Sequence, residues 1–225
     1  APITQDVCQA VADRIGFWLS IDDDLGAFYA LAADDPTFAP LIDYLYGYHQ
    51  VKFVSPVEAG VWAILSQRNQ FTNTRNMRRA LMERYGGSLT VDGFTYPAFP
   101  DAPPLAMADG AEVAAVIRHR PKGMLVPGVA RAFDSIDEHW LRDAPYAEVE
   151  RWLKSIRGIG EWSSKFILMR ALGRMEAVPR EDKWIAEAVA RTYGLIHADD
   201  ATIARLGAPY GDWIGYWAHY MRVAS

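Results

Sequence analysis

The sequence predicts an all-α protein, one compact unit of two lobes with a cleft between them, and three observations carry that prediction. Apolar residues recur with a helical period along nearly the whole chain, helix start and stop signals fall at the ends of those stripes, and alternating strand-like stretches are few and short. With 225 residues and 51% hydrophobic content, the chain has ample material for a core.

Stripes at about 5–19, 25–33 and 37–47 open the chain. Val57, Val61, Ile64 and Leu65 then recur at i, i+4, i+7 and i+8, the spacing of a helix that buries one face. Its start is written in Ser55-Pro56-Val57-Glu58, where Ser precedes a Pro at the first helical position and Glu stands three residues after the Ser, a capping box. The stripe at 74–85 is expected to end at Gly86-Gly87 in a left-handed cap. From Gly86 to Pro104, the residues Pro97, Pro100, Pro103 and Pro104 exclude regular helix and predict a long surface loop. Stripes at 111–118 and 128–142 lead to a helix carrying Tyr146, Val149, Trp152, Leu153 and Ile156, and further helices are expected at 161–173, 183–193 and 211–223.

Composition excludes several classes. No run of about 18 uncharged apolar residues exists, and Val7–Leu19 is broken by Asp13 and Arg14, so neither a membrane span nor a signal peptide is written here. A soluble intracellular protein is expected, cytoplasmic and nucleoid-associated if bacterial. Cys8 is the only cysteine, which rules out an internal disulfide and a four-cysteine zinc or iron–sulfur site. A net charge of −5 weighs against a nucleic-acid partner, because phosphate binding draws on Lys and Arg. Charge is local, however, and Arg68, Arg75, Arg78, Arg79 and Arg84 fall in one stretch, leaving room for a basic face. The acidic groups Asp22–Asp24, Asp34–Asp35 and Asp199–Asp200 read as solvated surface.

One stretch carries chemistry. Leu153 to Trp162 places Gly158-Ile159-Gly160 between two helices, and glycines there allow a tight turn with positive φ and let a phosphate approach the amides at the second helix's N-terminus. A Gly-x-Gly corner alone is as consistent with a structural turn. The continuation through Phe166 to Val178-Pro179-Arg180-Glu181-Asp182-Lys183-Trp184-Ile185 adds a carboxylate that opens the following helix. Leu153–Ile185 resembles the signature of the helix-hairpin-helix DNA glycosylase superfamily, and most of all its AlkA-type 3-methyladenine branch. Ser55–Gln67 is similar to that family's first core helix, and the resemblance runs from about Asp13 to Met221.

The resemblance implies the two-lobed helix-hairpin-helix glycosylase fold, with about 1–55 plus 180–225 in one lobe and about 56–179, including the hairpin at 153–173, in the other. By the same resemblance Asp182 would be the catalytic carboxylate, stabilising positive charge on the deoxyribose and orienting water; from the residues alone it is as readily a helix N-cap, and Glu181 is the neighbouring alternative. Bifunctional relatives carry a Schiff-base Lys where Trp162 stands, so the enzyme would leave an intact abasic site, with Lys165, three residues further on, as the alternative amine. Trp162, Phe166, His219 and Trp213 would line the base pocket; the alternatives are core positions for the Trp/Phe pair and helix surface for His219. Gly158, Ile159, Gly160, Gln67, Arg68 and Lys165 would meet DNA, with Arg68 as the wedge that fills the space of the extruded base and Gln67 either ordering its loop or facing the minor groove. Tyr96 and Phe99 are further pocket guesses. The expected partner is damaged double-stranded DNA, bound by a monomer. No cofactor is expected beyond a monovalent cation bridging the hairpin backbone and a DNA phosphate. Rival readings are a glycosylase for another lesion, a non-catalytic helix-hairpin-helix DNA-binding protein and an unrelated helical small-molecule binder.

Overall fold

The computed structural model describes residues 3–224, and helices dominate it. The chain divides into two compact units, one made of the residues up to Val54 together with those from Leu168 onward, the other of Ser55–Ile167. The return to the first unit therefore comes earlier than the expected 180. Met169 and Met175 are the reason, since both are buried in the first unit's core.

The first unit opens with α1 (Gln5–Leu19), α2 (Gly26–Ala33) and α3 (Ala39–Tyr44). The stripe at 37–47 yields only this short α3, because the chain leaves the helix at Leu45, with φ −110 and ψ 20, and Gly47 then takes φ +77. An irregular strap comes next: the Lys52 amide donates to Trp18 O at 2.8 Å and the Phe53 amide to Arg170 O at 2.9 Å.

The second unit is built around α4 (Pro56–Ser66), buried from Pro56 to Leu65 except for half-buried Trp62. A helix apolar on all sides belongs at the centre of a unit, not on its rim. Ser55 Oγ accepts the Glu58 amide at 3.3 Å, but the Glu58 carboxylate closes no box; Oε1 takes Arg78 Nε at 2.7 Å instead. Around α4 stand α5 (Phe71–Tyr85), α6 (Ala102–Met107), α7 (Gly110–Ile117), α8 (Arg120–Gly123), α9 (Val126–Asp134), α10 (Glu138–Asp143) and α11 (Tyr146–Ser155). Gly60 lets α9 come close, as a Cβ there would lie 2.5 Å from the Phe133 ring. The single stripe at 128–142 is two helices, because Asp137 caps the second by accepting the His139 amide at 3.0 Å.

The proline-rich stretch is not the loop the sequence suggested. It folds as an antiparallel hairpin, β1 (Ser88–Val91) with β2 (Phe94–Pro97), and then enters α6 at Ala102. Asp92-Gly93, at φ +50 and +81, is the pair a two-residue hairpin turn favours, and Pro103 and Pro104 fall in the first turn of α6, where their missing amide hydrogens cost nothing. Gly86 is extended, at φ −83 and ψ 167, not a left-handed cap.

α12 (Glu161–Leu172) starts in the second unit and ends in the first. The first unit continues with α13 (Lys183–Thr192), α14 (Asp200–Gly207), a 3-10 stretch at Ala208–Trp213 and α15 (Ile214–Val223). α14 was not expected, and Asp199, read as solvated surface, is its cap, accepting the Thr202 amide at 2.8 Å. The stripe at 211–223 is helical only from Ile214, since Gly211 sits at φ +51. Aromatic rings fill this unit's core: Phe28 has Phe38, Tyr210, Tyr216 and Tyr220 around it at centroid distances of 5.1 to 6.1 Å. Buried phenols need hydrogen-bond partners. Tyr193 and Tyr210 both donate to Asp35 Oδ2, Tyr216 donates to Asp23, and Tyr220 donates to Tyr48 O at 2.8 Å.

Candidate active site

In the second unit the hairpin between α11 and α12 is a tight corner held from inside. The Ile159 amide donates to Ile156 O at 3.0 Å, and the Ser164 amide to Gly160 O at 2.9 Å. Gly158 stands at φ +96, and a Cβ on it would lie 2.9 Å from Ile64 Cδ1 and from Leu125 Cδ1. Only Gly158 needs the left-handed region. Gly160 does not, but nothing lies within 4 Å of where its Cβ would be, so its backbone is open to an approaching ligand. Ile159, expected at the DNA, is only 4% exposed; its side chain anchors the corner, which leaves its backbone as the part able to meet a ligand.

Gln67 comes directly after α4 and clamps the corner: its Nε2 donates to Gly158 O at 2.7 Å and to Ser163 Oγ at 3.2 Å. Of the two roles left open for it, ordering the structure is the one these bonds describe. Arg68 is exposed and holds φ +47, a strained conformation for a residue with a Cβ. Beneath this turn lies a residue that motif reading missed. Lys122 is buried, and its ammonium donates to Leu65 O at 2.5 Å and Gln67 O at 2.8 Å, closing the carbonyl end of α4, while burial lowers its pKa.

The Trp162 and Phe166 rings, one helical turn apart on α12, stack with centroids 5.0 Å apart and planes inclined by 16°, both half-buried. Lys165 does not offer a bare charge to phosphate, because its Nζ lies 3.1 Å from Glu161 Oε1 and the same carboxylate takes Lys154. The two lysines hold the Glu161 carboxyl below the usual range. The basic stretch is also partly spent: Arg78 pairs with Glu58 and Arg84 with Glu112, at 2.6 and 2.5 Å. Tyr96 is exposed on β2, and Phe99 lies under Arg78, whose guanidinium carbon is 5.8 Å from the ring centroid.

In the first unit Asp182 caps α13. One carboxylate oxygen accepts the Trp184 amide at 3.0 Å and the Ile185 amide at 3.2 Å. The residue before it, Glu181, holds φ +54 and donates its own amide to Asp200 Oδ1 at 3.1 Å. A carboxylate set at a helix N-terminus behind a strained residue has a fixed direction. Asp182 also borders a groove of about 580 Å³ with Glu181, Glu187, Ile196 and His197 in its walls. None of the proposed ring residues lines that groove, and its acidic rim is a poor seat for DNA.

His219 overturns the surface reading of its position: it is 6% exposed. Its ring lies against that of Tyr48 at 5.7 Å, with Nε2 3.2 Å from the Tyr48 hydroxyl and Nδ1 3.4 Å from Arg170 Nη1. Burial, then the charges of Arg170 and Arg222, pull its pKa down to about 3. Trp213 is half-buried on the core, stacked on Phe28 at 6.2 Å and beside Tyr216 at 5.7 Å, a packing position that gives it no open ring face on Phe28's side. Tyr48, Arg170 and Arg222 carried no motif and were missed. Among the described residues no group of three or more His, Cys, Asp or Glu side chains is placed to hold a metal.

No family model matches the chain. It is 25% identical over 224 residues to a DNA-3-methyladenine glycosylase of Bacillus subtilis (strain 168), an alignment that covers 98% of this chain and 74% of that protein. Its structure is similar to that of the 3-methyladenine DNA glycosylase from Archaeoglobus fulgidus, with a TM-score of 0.83 at 21% identity over 99% of this chain and 76% of the other. It is also similar to the Clostridium acetobutylicum 8-oxoguanine glycosylase/lyase bound to double-stranded DNA, with a TM-score of 0.77 at 18% identity over 99% and 76% of the two chains.

Proposed function

We propose that this chain, which has the helix-hairpin-helix DNA glycosylase fold, is a monofunctional DNA glycosylase that removes alkylated bases such as 3-methyladenine from duplex DNA. The observation that carries the reading is the Asp182 carboxylate fixed at the head of α13 by two amides. The 25% identity to a DNA-3-methyladenine glycosylase, over 98% of this chain and 74% of that protein, supports the substrate class.

In this reading the corner grips a backbone phosphate through amides at the start of α12, which positions the duplex without reading its sequence. A monovalent cation, when bound, would take carbonyl oxygens of the same corner; Gly158 O already accepts Gln67 and keeps one lone pair for it. The target nucleotide leaves the stack, and Arg68 on its strained turn fills the gap. Trp162 and Phe166 offer ring faces to an electron-poor base, worth about 0.5–2 kcal/mol each. As the C1′–N bond breaks, the Asp182 carboxylate stabilises the positive charge on the sugar and orients the water that adds to C1′. Trp162 stands where a Schiff-base lysine would act, and Lys165 is paired with Glu161, which supports water as the nucleophile.

The test is release of free base from methylated duplex DNA. Asp182→Asn keeps an oxygen for the cap and should lower 3-methyladenine release by two orders of magnitude or more while DNA binding survives; equal release by both proteins refutes the assignment. Borohydride should trap no covalent adduct with lesion DNA, and a trapped adduct would overturn the monofunctional reading.

A further inference from the structure

The first unit carries a second polar group besides Asp182. Arg170, His219 and Arg222 gather with Tyr48, and no carboxylate among the described residues pairs with either arginine. The direction of the hydrogen bonds is set by the donor inventory. A guanidinium can only donate, so His219 Nδ1 accepts from Arg170, the neutral ring carries its proton on Nε2, and Nε2 donates to the Tyr48 oxygen. The low His219 pKa agrees with that neutral tautomer. With its oxygen occupied as acceptor, Tyr48 has its own O–H left to give, and no described residue accepts it. The tyrosine is held in place: its ring lies on His219 and against Tyr220, and its carbonyl accepts the Tyr220 hydroxyl.

We infer that Tyr48 is a specificity-determining residue that donates a hydrogen bond to an uncharged excised base, with His219 and Arg170 as the positioning residues behind it. The inference rests on the glycosylase reading above. Two parts of a DNA substrate could accept this bond, a phosphate or an extruded base. Phosphates stay along the surface, whereas Tyr48 and Arg170 are half-buried and His219 is buried, which suits an extruded base better than a backbone phosphate. The leaving groups set the difference: a cationic base departs readily without help, whereas a neutral base offers lone pairs to a donor held beside the Arg170 guanidinium and gains more from the bond. A neutral base is also the poorer leaving group. When its C1′–N bond breaks, the electron pair goes to the base, where the Tyr48 bond stabilises it; the oxygen of water bonds to C1′, and a proton from that water reaches the base through solvent. Tyr48 keeps its proton throughout.

The experiment compares single-turnover release from two duplexes that differ in one nucleotide, N7-methylguanine as the cationic base and hypoxanthine as the neutral one, with affinity for lesion and undamaged duplex measured for each protein. Tyr48→Phe should lower hypoxanthine release at least about tenfold and N7-methylguanine release less than about threefold, with unchanged affinity for undamaged duplex. His219→Phe should behave as Tyr48→Phe does, and His219→Gln, which can both accept and donate, should recover most of the neutral-base rate. Equal losses on both duplexes, or wild-type release of the cationic base alone, would overturn the inference. A Tyr48→Phe protein that loses as much affinity for undamaged duplex as for lesion duplex would make the acceptor a phosphate and overturn it too. Release of neither base by the wild type would remove the glycosylase reading itself, an outcome distinct from the others.

Discussion

The two glycines of the hairpin look alike in the sequence and do different work. Gly158 holds φ +96 and has no room for a Cβ, so Gly158→Ala should cost roughly 2–4 kcal/mol from left-handed strain and overpacking. Gly160 faces open space and lies outside the left-handed region, so Gly160→Asp should fold. It should still weaken binding to any duplex, because a carboxylate then stands where a phosphate must sit. Urea midpoints and binding isotherms for the two variants check this; a Gly160→Asp protein that binds DNA as well as the wild type would remove the corner's phosphate role.

At the scale of elements, helix ends organise the candidate residues within each unit. Asp182 and Asp199 cap α13 and α14, and Asp200, at the start of α14, accepts the amide of strained Glu181 next to Asp182. Lys122 does the converse at the carbonyl end of α4, and Gln67 links that end to the hairpin. Lys122→Met should leave buried carbonyls unpaired at about 1–3 kcal/mol and loosen the Gln67–Arg68 turn. The expected readout is a lower urea midpoint with faster amide exchange over residues 66–69; unchanged exchange there would mean that the turn is held by other contacts.

For the molecule as a whole, pH stability depends on a histidine kept neutral. The His219 pKa lies at about 3 in the fold against an ordinary value of 6.5, with Tyr48, Arg170 and Arg222 as the groups that face it. Between those two values the unfolded chain binds a proton that the folded chain does not, so stability falls as pH drops below about 6.5, by at most about 1.4 kcal/mol per pH unit. Above that range His219 is neutral in both states and contributes no slope. His219→Gln should flatten the loss in unfolding free energy between about pH 7.5 and 5.0; equal losses in both proteins would show that the ring is solvated.

By itself the sequence determined the helical class, the course of α4, α11 and α12, the glycine corner and the place of Asp182 at the head of α13, because each is a local matter of period, cap or short motif. It also held signals that went unread, such as Asp92-Gly93 for the β-hairpin and Asp199 for α14. What only the tertiary structure decided was pairing between distant residues. His219 could be assigned to surface or pocket until Tyr48 and Arg170, 171 and 49 positions away, closed over it. Lys122 reaches Leu65 across 57 positions, and Glu58 chose Arg78 over its own helix end. Burial and hydrogen-bond partnership are set by which segments meet in space, and no periodicity along the chain encodes that meeting.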